Sequence, residues 1–545
     1  MVQARFHILL IIVLNANFLL AQASVKMVFS ADAEKMKLKE FIGTIDHTMY
    51  FLSGEEGKEE FTAVDTNFNF IYSNKIVRNV GDAWYRGSFI LGKTFYSTYL
   101  KTGKKGWELF CHVIDIKSAK IIGEPIQIYK TLDLAMEGEV MYEEGPSGVY
   151  QLNVGKKKLS SDLRISNGLY KLKESENNKY LIFLTKLNAG DTANYIKVIT
   201  FDSSLSVISS KQFFPSKIPS VGYFSPKKSA LNIQQLEIDN KGDGFVGGNF
   251  IYDNYKQIEH FILFLPVNRE SFTSTIRNQD AIGAIYGLST DEHELIVVGT
   301  YQQGVHYYRE ECSGLFIQNF TKINQLKSEY KITFDTLCIR KYPDKPDGLE
   351  RVLFDQCVDC FKNFTVQKAF INKKDGNIIV IANQFLNAVA NGRPFILDDH
   401  VIITVISPKG KRVKNVKIPR GAVYAPGCGG DFKPQTFLLN DNLHIIFNDN
   451  KNNLTLNDDQ MAYLCSAGAI SDRCISHYSL DGEYNLAKEV LLQGSKEDFP
   501  GRFNTHFLVI HSVGDRLFFF SREGHLSDKR PSLRKMLVLK LDDLN

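Results

Sequence analysis

The chain has 545 residues, 44% of them hydrophobic and 12% aromatic, with 65 Lys plus Arg against 61 Asp plus Glu. That length excludes a small disulfide-stapled scaffold, and the aromatic content excludes general disorder. A formal charge of +4 on so long a chain gives no electrostatic ground for a nucleic-acid partner.

The first 23 residues read as an export signal. Arg5 and His7 precede an apolar stretch, Ile8 to Leu20, and Ala21-Gln22-Ala23 fits the small-x-small cleavage pattern. The apolar run is shorter than the ~20 residues that span a bilayer, so the expected mature chain is 24–545, secreted or held in the periplasm or cell envelope, with no membrane span. In such a compartment the eight cysteines are open to disulfide formation, and Cys357 with Cys360 and Cys465 with Cys474 are the close pairs. Cys357-Val-Asp-Cys360 lacks both a second Cys pair for zinc and the strand-to-helix setting of a redox dithiol.

From there the chain alternates short strand-like runs rich in Ile, Val, Phe, Tyr and Thr with Gly, Asn, Asp and Lys turns. The order of the runs repeats, and each unit contains one very apolar second strand. These are Met49 to Leu52, Thr94 to Leu100, Tyr180 to Thr185, Phe245 to Phe250, Glu294 to Thr300, Asn377 to Asn383, Asn442 to Asn448 and Arg516 to Ser521. Similar turns precede several of them, such as Asn240-Lys-Gly-Asp-Gly244 and Asn372-Lys-Lys-Asp-Gly376. Similar corners follow the third strands, such as Ala63-Val64-Asp65-Thr66 and Thr200-Phe201-Asp202-Ser203.

The spacing, about 67 residues, exceeds the ~40–50 of compact blade repeats. The excess is expected in loops near 137–162, 322–362 and 387–398. Units of four strands that cannot bury both faces alone stack radially. The expected fold is therefore all-β, a single β-propeller of about eight four-stranded blades, with seven as the alternative because 139–167 is hard to divide. The last unit is one strand short. Val25 to Phe29 is the spare segment that would complete it by pairing the N- and C-terminal ends of the mature chain and protecting an open edge.

On Asp243-Gly-Phe-Val-Gly-Gly-Asn249, Asp375-Gly-Asn-Ile-Ile-Val-Ile-Ala-Asn383 and Leu443-His-Ile-Ile-Phe-Asn-Asp449, the chain resembles uncharacterised secreted β-propeller proteins of Gram-negative bacteria. The resemblance implies a propeller and an extracytoplasmic address, and it transfers no catalytic residue.

No motif for a cofactor or metal stands out. Gly242-Asp-Gly-Phe-Val-Gly247 has dinucleotide-site spacing but continues as a strand, not a helix. Asp239-Asn-Lys-Gly-Asp-Gly244 starts like a calcium loop, but Lys241 stands at a ligand position and Phe250 where the bidentate Glu belongs. Both read as hairpin. The basic run Lys409, Lys411, Arg412, Lys414, Lys417 and Arg420 reads as a guarded outer strand. Asn319, Asn363 and Asn453 head glycosylation acceptor patterns.

The densest polar-aromatic cluster is His306, Tyr307, Tyr308, Arg309 and Glu310, a candidate binding loop with rings for stacking and a carboxylate for hydrogen bonds. Two functions follow. One is a binding or scaffold protein presenting loops to a protein, peptide or glycan. The other is a hydrolase or lyase acting on polysaccharide or peptide, which would draw on Asp291 and His293 with His306, Tyr307, Arg309 and Glu310.

Overall fold

A computed structural model describes residues 25–27, 38–131, 140–153, 170–213, 230–276, 282–301, 313–334, 364–424, 434–450, 453, 464–465, 473–493, 509–522 and 536–541, less internal breaks of a few residues. Strand is the dominant element, and the fold is a β-propeller. The chain divides into two compact units, Met1–Lys75 with Phe507–Asn545, and Ile76–His506.

The first unit holds two sheets. Blade 1 is the antiparallel meander Leu38–Ile45, Thr48–Glu55, Lys58–Val64 and Phe70–Lys75. Blade 8 consists of Val509–Val513, Arg516–Arg522 and Met536–Leu541, and its outermost strand is Val25–Met27. Val25 pairs with Leu541 and Met27 with Leu539, so the spare N-terminal segment does supply the missing fourth strand.

The second unit holds six sheets with the same four-strand core. Blade 2 is Ala83–Leu91, Thr94–Gly103, Gly106–Asp115 and Lys120–Thr131. Blade 3 is Tyr170–Glu174, Leu181–Ala189, Ala193–Phe201 and Val207–Phe213. Blade 4 is Ala230–Ile238, Gly244–Tyr252, Gln257–Leu265 and Phe272–Ile276. Blade 5 is Ile282–Ser289, Leu295–Tyr301, Gly314–Phe320 and Leu326–Thr333. Blade 6 is Phe364–Ile371, Ile378–Ala390, Arg393–Ile406 and Arg412–Ile418. Blade 7 is Gln435–Leu439, Asn442–Asn450, Arg473–Leu480 and Leu486–Gln493. All eight anticipated second strands take that place in their blades.

Within this unit each sheet packs on the next in chain order. Trp107, Leu109 and Cys111 of blade 2 meet Leu181, Phe183 and Phe201 of blade 3, and equivalent clusters join blades 3 to 4, 4 to 5, 5 to 6 and 6 to 7. A second strand buried on both faces has no polar alternation, so Leu295–Tyr301 is buried throughout while the outer strand Leu326–Thr333 is mostly exposed. At about 1.5–3 kcal/mol per large side chain removed from water, these inter-blade layers dominate the favourable side of folding.

Three segments expected as loops carry strands. The hairpin Val140–Gly145 with Gly148–Asn153 forms a separate two-stranded sheet, which is why 139–167 resists division: it is an insertion between blades 2 and 3. Leu326–Thr333 lies inside 322–362; its polar sequence hides an edge strand held by pairing to Gly314–Phe320. The stretch 387–398 is the tip of the blade-6 hairpin.

Four of the corners after first or third strands share one design. Asp65, Asp202, Asp239 and Asp481 each accept, at Oδ1, the backbone N–H groups two and four residues on. The residue three positions on, respectively Phe68, Leu205, Gly242 and Tyr484, takes a positive φ. The glycine-spaced run 242–247 and the calcium-like Asp239 are thus a hairpin corner, as their surroundings suggested.

Candidate functional site

In an antiparallel four-strand blade, corners after strands one and three fall at one end, and connections after strands two and four at the other. In the second unit the first end carries the short capped corners. From the second end leave 214–229, 302–313, 335–363, 425–434 and 451–472, the long connections. Among the described residues, this loop end is most built up at blades 6 and 7. There Ile378–Ala390 and Arg393–Ile406 run beyond their neighbours, and Ala422–Tyr424 pairs with the extension, Ile396 opposite Tyr424. Leu464–Cys465 then adds a parallel strand, giving a small raised sheet fed by two long connections.

Blade 7 carries a buried polar base that sequence reading missed. Asp449, 1% exposed, is the penultimate residue of the second strand of blade 7. Its Oδ1 accepts Asn450 N–H at 2.8 Å and Asn453 Nδ2 at 2.8 Å, and its Oδ2 accepts Ser476 Oγ at 3.0 Å. Burial raises its pKa above the usual carboxylate value, against the lowering effect of these hydrogen bonds. Lys488 Nζ donates to Asn453 O at 2.7 Å and lies 5.3 Å from the Tyr478 ring centroid. Arg420, the last member of the basic run, is 1% exposed with its guanidinium over Phe447. The outer-strand reading holds for Arg412, Lys414 and Lys417 and fails for Arg420, which follows the strand and turns inward. Asn453 is also buried and its amide serves Asp449, so the glycosylation pattern there has no accessible acceptor.

Cys474 adjoins this base as a free thiol, so the close pairing with Cys465 is not formed. Burial, then the Asp449 charge, push it up to about 12, which leaves it protonated and a poor nucleophile. Cys357 and Cys360 lie outside the described residues. Among the described residues no group of three or more His, Cys, Asp and Glu side chains is arranged to hold a metal.

Two further polar arrangements cross strands. In blade 7 Glu489 bonds His477 Nδ1, and His477 Nε2 meets His444 Nδ1 at 2.9 Å. Burial, with His477 alongside, lowers His444 to about 4. At the capped-corner end, His293 Nδ1 lies 2.8 and 2.7 Å from the two oxygens of Asp243, whose side chain is fully buried and also accepts Val267 N–H. That contact fixes the imidazole and leaves Nε2 free of protein partners among the described residues. It also joins blades 4 and 5, as Tyr484 with Asp375 joins blades 6 and 7.

Asp291 and His293 precede Leu295–Tyr301, whereas His306, Tyr307, Tyr308, Arg309 and Glu310 follow it and lie outside the described residues. Asp291 is 94% exposed and 3.8 Å from Lys241 Nζ.

No family model matches the chain, and no curated protein resembles it in sequence. Among solved structures, the chain is similar to the polysaccharide lyase Uly1, at 7% identity and TM-score 0.37 over 93% of this chain and 90% of that one. It is similar to the β-propeller domain of the Trilobed protease from Pyrococcus furiosus, at 11% identity and TM-score 0.31 over 84% and 97%. A post-proline cleaving enzyme from Rickettsia typhi matches at 9% identity and TM-score 0.35, over 91% of this chain and 60% of that one.

Proposed function

We propose that the protein is an extracytoplasmic binding or scaffold protein that engages a protein, peptide or glycan through the loop end of its blades. The observation that carries this is the asymmetry of the second unit: capped corners at one end, long connections and a raised sheet at the other. The Asp449 base supports the same reading, since it anchors the start of one long connection through buried hydrogen bonds and so preorganises it. Loops on a rigid scaffold are where recognition residues concentrate. The export signal expected at 1–23 supplies the address. Purified protein probed against glycan arrays and cell-envelope proteins tests this; selective binding weakened by shortening 454–463 is expected, and no binding across both sets overturns it.

A second reading, a hydrolase or lyase acting on polysaccharide or peptide, draws on the Asp243–His293 pair. A buried carboxylate on Nδ1 with Nε2 open is the arrangement that makes a histidine a general base. Turnover on a glycan and peptide panel that falls in His293→Ala would support it. Turnover lost instead in His306→Ala or Glu310→Ala would move the site to the loop end.

A further inference from the structure

We propose that Lys488 and Asn453 become joined by an amide bond between Nζ and Cγ, with release of ammonia and with Asp449 as the proton carrier. The bond would fix the start of the 451–472 connection to the outer strand of blade 7, and it is independent of any ligand. The three residues converge from separate elements. Lys488 stands on the outer strand Leu486–Gln493, opposite Tyr478. Its chain crosses the Tyr478 ring, with Nζ 5.3 Å from the centroid, and ends 2.7 Å from the backbone O of Asn453, 35 positions away in sequence. The backbone O and the Cγ of one asparagine are only a few ångströms apart. Turning the terminal bonds of the lysine therefore carries its nitrogen from the first to the second.

An amide resists exchange with an amine because its nitrogen leaves only when a proton reaches it. Here the nitrogen that must leave, Asn453 Nδ2, donates to Asp449 Oδ1 at 2.8 Å. Asp449 is 1% exposed and Asn453 4%, and burial raises the Asp449 pKa, which favours a carboxyl able to carry a proton. The buried rings of Phe447 and Tyr478 stack at 5.6 Å and share the strand faces of Asp449 and Ser476, an apolar setting that limits hydrolysis by water. In the reaction the Nζ lone pair bonds to Cγ and the carbonyl π pair moves to Oδ1. When the carbonyl re-forms, the Cγ–Nδ2 bond breaks with its pair on Nδ2, which takes a proton from Asp449. Asp449 recovers a proton from Nζ. Amine plus primary amide becomes secondary amide plus ammonia, and nothing is oxidised or reduced. Only the uncharged minority of any lysine population attacks at neutral pH, but a step that occurs once and loses its leaving group needs no more.

The test is tryptic peptide mapping of the full chain after prolonged incubation at neutral pH. It is run under reducing conditions, because Cys465 and Cys474 fall in the two peptides concerned. The expected result is Asn452–Arg473 joined to Cys474–Lys496, uncleaved at Lys488, in one species lighter than their sum by one ammonia, with fragmentation placing the link at Asn453. Lys488→Arg keeps the charge at an exposed position and should lack the joined species. Asp449→Asn should form it at least about a hundredfold more slowly; where that variant does not fold, Lys488→Arg decides. Asn452–Arg473 and Cys474–Lys488 recovered separately at full mass overturn the proposal. So does ammonia lost from Asn452–Arg473 alone, which a succinimide would give, or a link that fragmentation places on another residue. A joined species that forms as fast in folded Asp449→Asn removes Asp449 from the reaction and overturns the mechanism.

Discussion

A bulky residue at positive φ is expensive, and Leu205 shows what offsets the cost. Its φ of 59° lies where only Gly sits without penalty, at roughly 1 kcal/mol or more. The side chain is 5% exposed and belongs to the cluster between blades 2 and 3. Truncation to Ala removes the packing and keeps the strain, at about 2–4 kcal/mol. Truncation to Gly removes both, so Leu205→Gly should be the more stable variant by about 1 kcal/mol, the reverse of the order inside strands. Urea unfolding of the two measures it, and Ala above Gly would refute it. A second effect at this scale concerns acid. Burial lowers His260 and His444 to about 4, whereas an unfolded His binds its proton near 6.5. The unfolded state takes up protons first, so their contribution is present above about pH 6.5 and is lost as pH falls towards 4, at about 3 kcal/mol each. Asp449, raised by burial, has the opposite sign, since its neutral form suits the fold and its contribution is lost as pH rises. The net expectation is a stability decline between pH 6.5 and 4 that is smaller in His444→Phe, read from denaturation midpoints across that range.

Between blades, single polar residues act as staples. The Tyr484 hydroxyl donates to Asp375 Oδ2 at 2.7 Å and accepts the Nδ2 groups of Asn372 and Asn377 at 3.0 and 3.2 Å. Asn372 is fully buried, so Tyr484→Phe leaves blade 6 with an unsatisfied amide while keeping the ring in the core. A loss of about 1–3 kcal/mol is expected, with enhanced hydrogen exchange confined to the 372–377 and 481–485 corners. Exchange that rises evenly over the chain would contradict the staple role. The outer strands show the same economy. Phe70, Val207, Leu326 and Leu486 stand opposite the buried Val64, Phe201, Phe320 and Leu480. Each continues a core row to the sheet edge, which accounts for large apolar side chains left exposed there.

For the whole molecule, the joining of the two ends of the chain in blade 8 is the feature most open to test. Val25–Met27 covers the edge of Met536–Leu541, a strand of sequence Met-Leu-Val-Leu-Lys-Leu that would otherwise expose its backbone. Removing residues 1–28 should lower the melting temperature and promote concentration-dependent aggregation by light scattering. Adding the 24–30 segment as a synthetic peptide should partly reverse both. Indifference to the truncation would show that the pairing contributes nothing to stability.

The strand content, the second strand of every blade, the capped corners and the N-terminal origin of the last strand were all legible in the sequence. Each is written in local periodicity and turn chemistry, where Asp at a corner or an unbroken apolar run has one cheap conformation. Three kinds of feature were not legible. Polar edge strands such as Leu326–Thr333 are strands only because a neighbour supplies hydrogen bonds. Arg420 and Asp449 look like surface residues until packing buries them, since burial of a charge depends on what covers it. The Asp243–His293 contact joins residues 50 apart in the chain, and no local pattern marks it. The sequence determined which segments would be blades; which side chains meet at the loop end was decided by the stacking of those blades, because contacts between residues far apart in sequence leave no local periodicity to read.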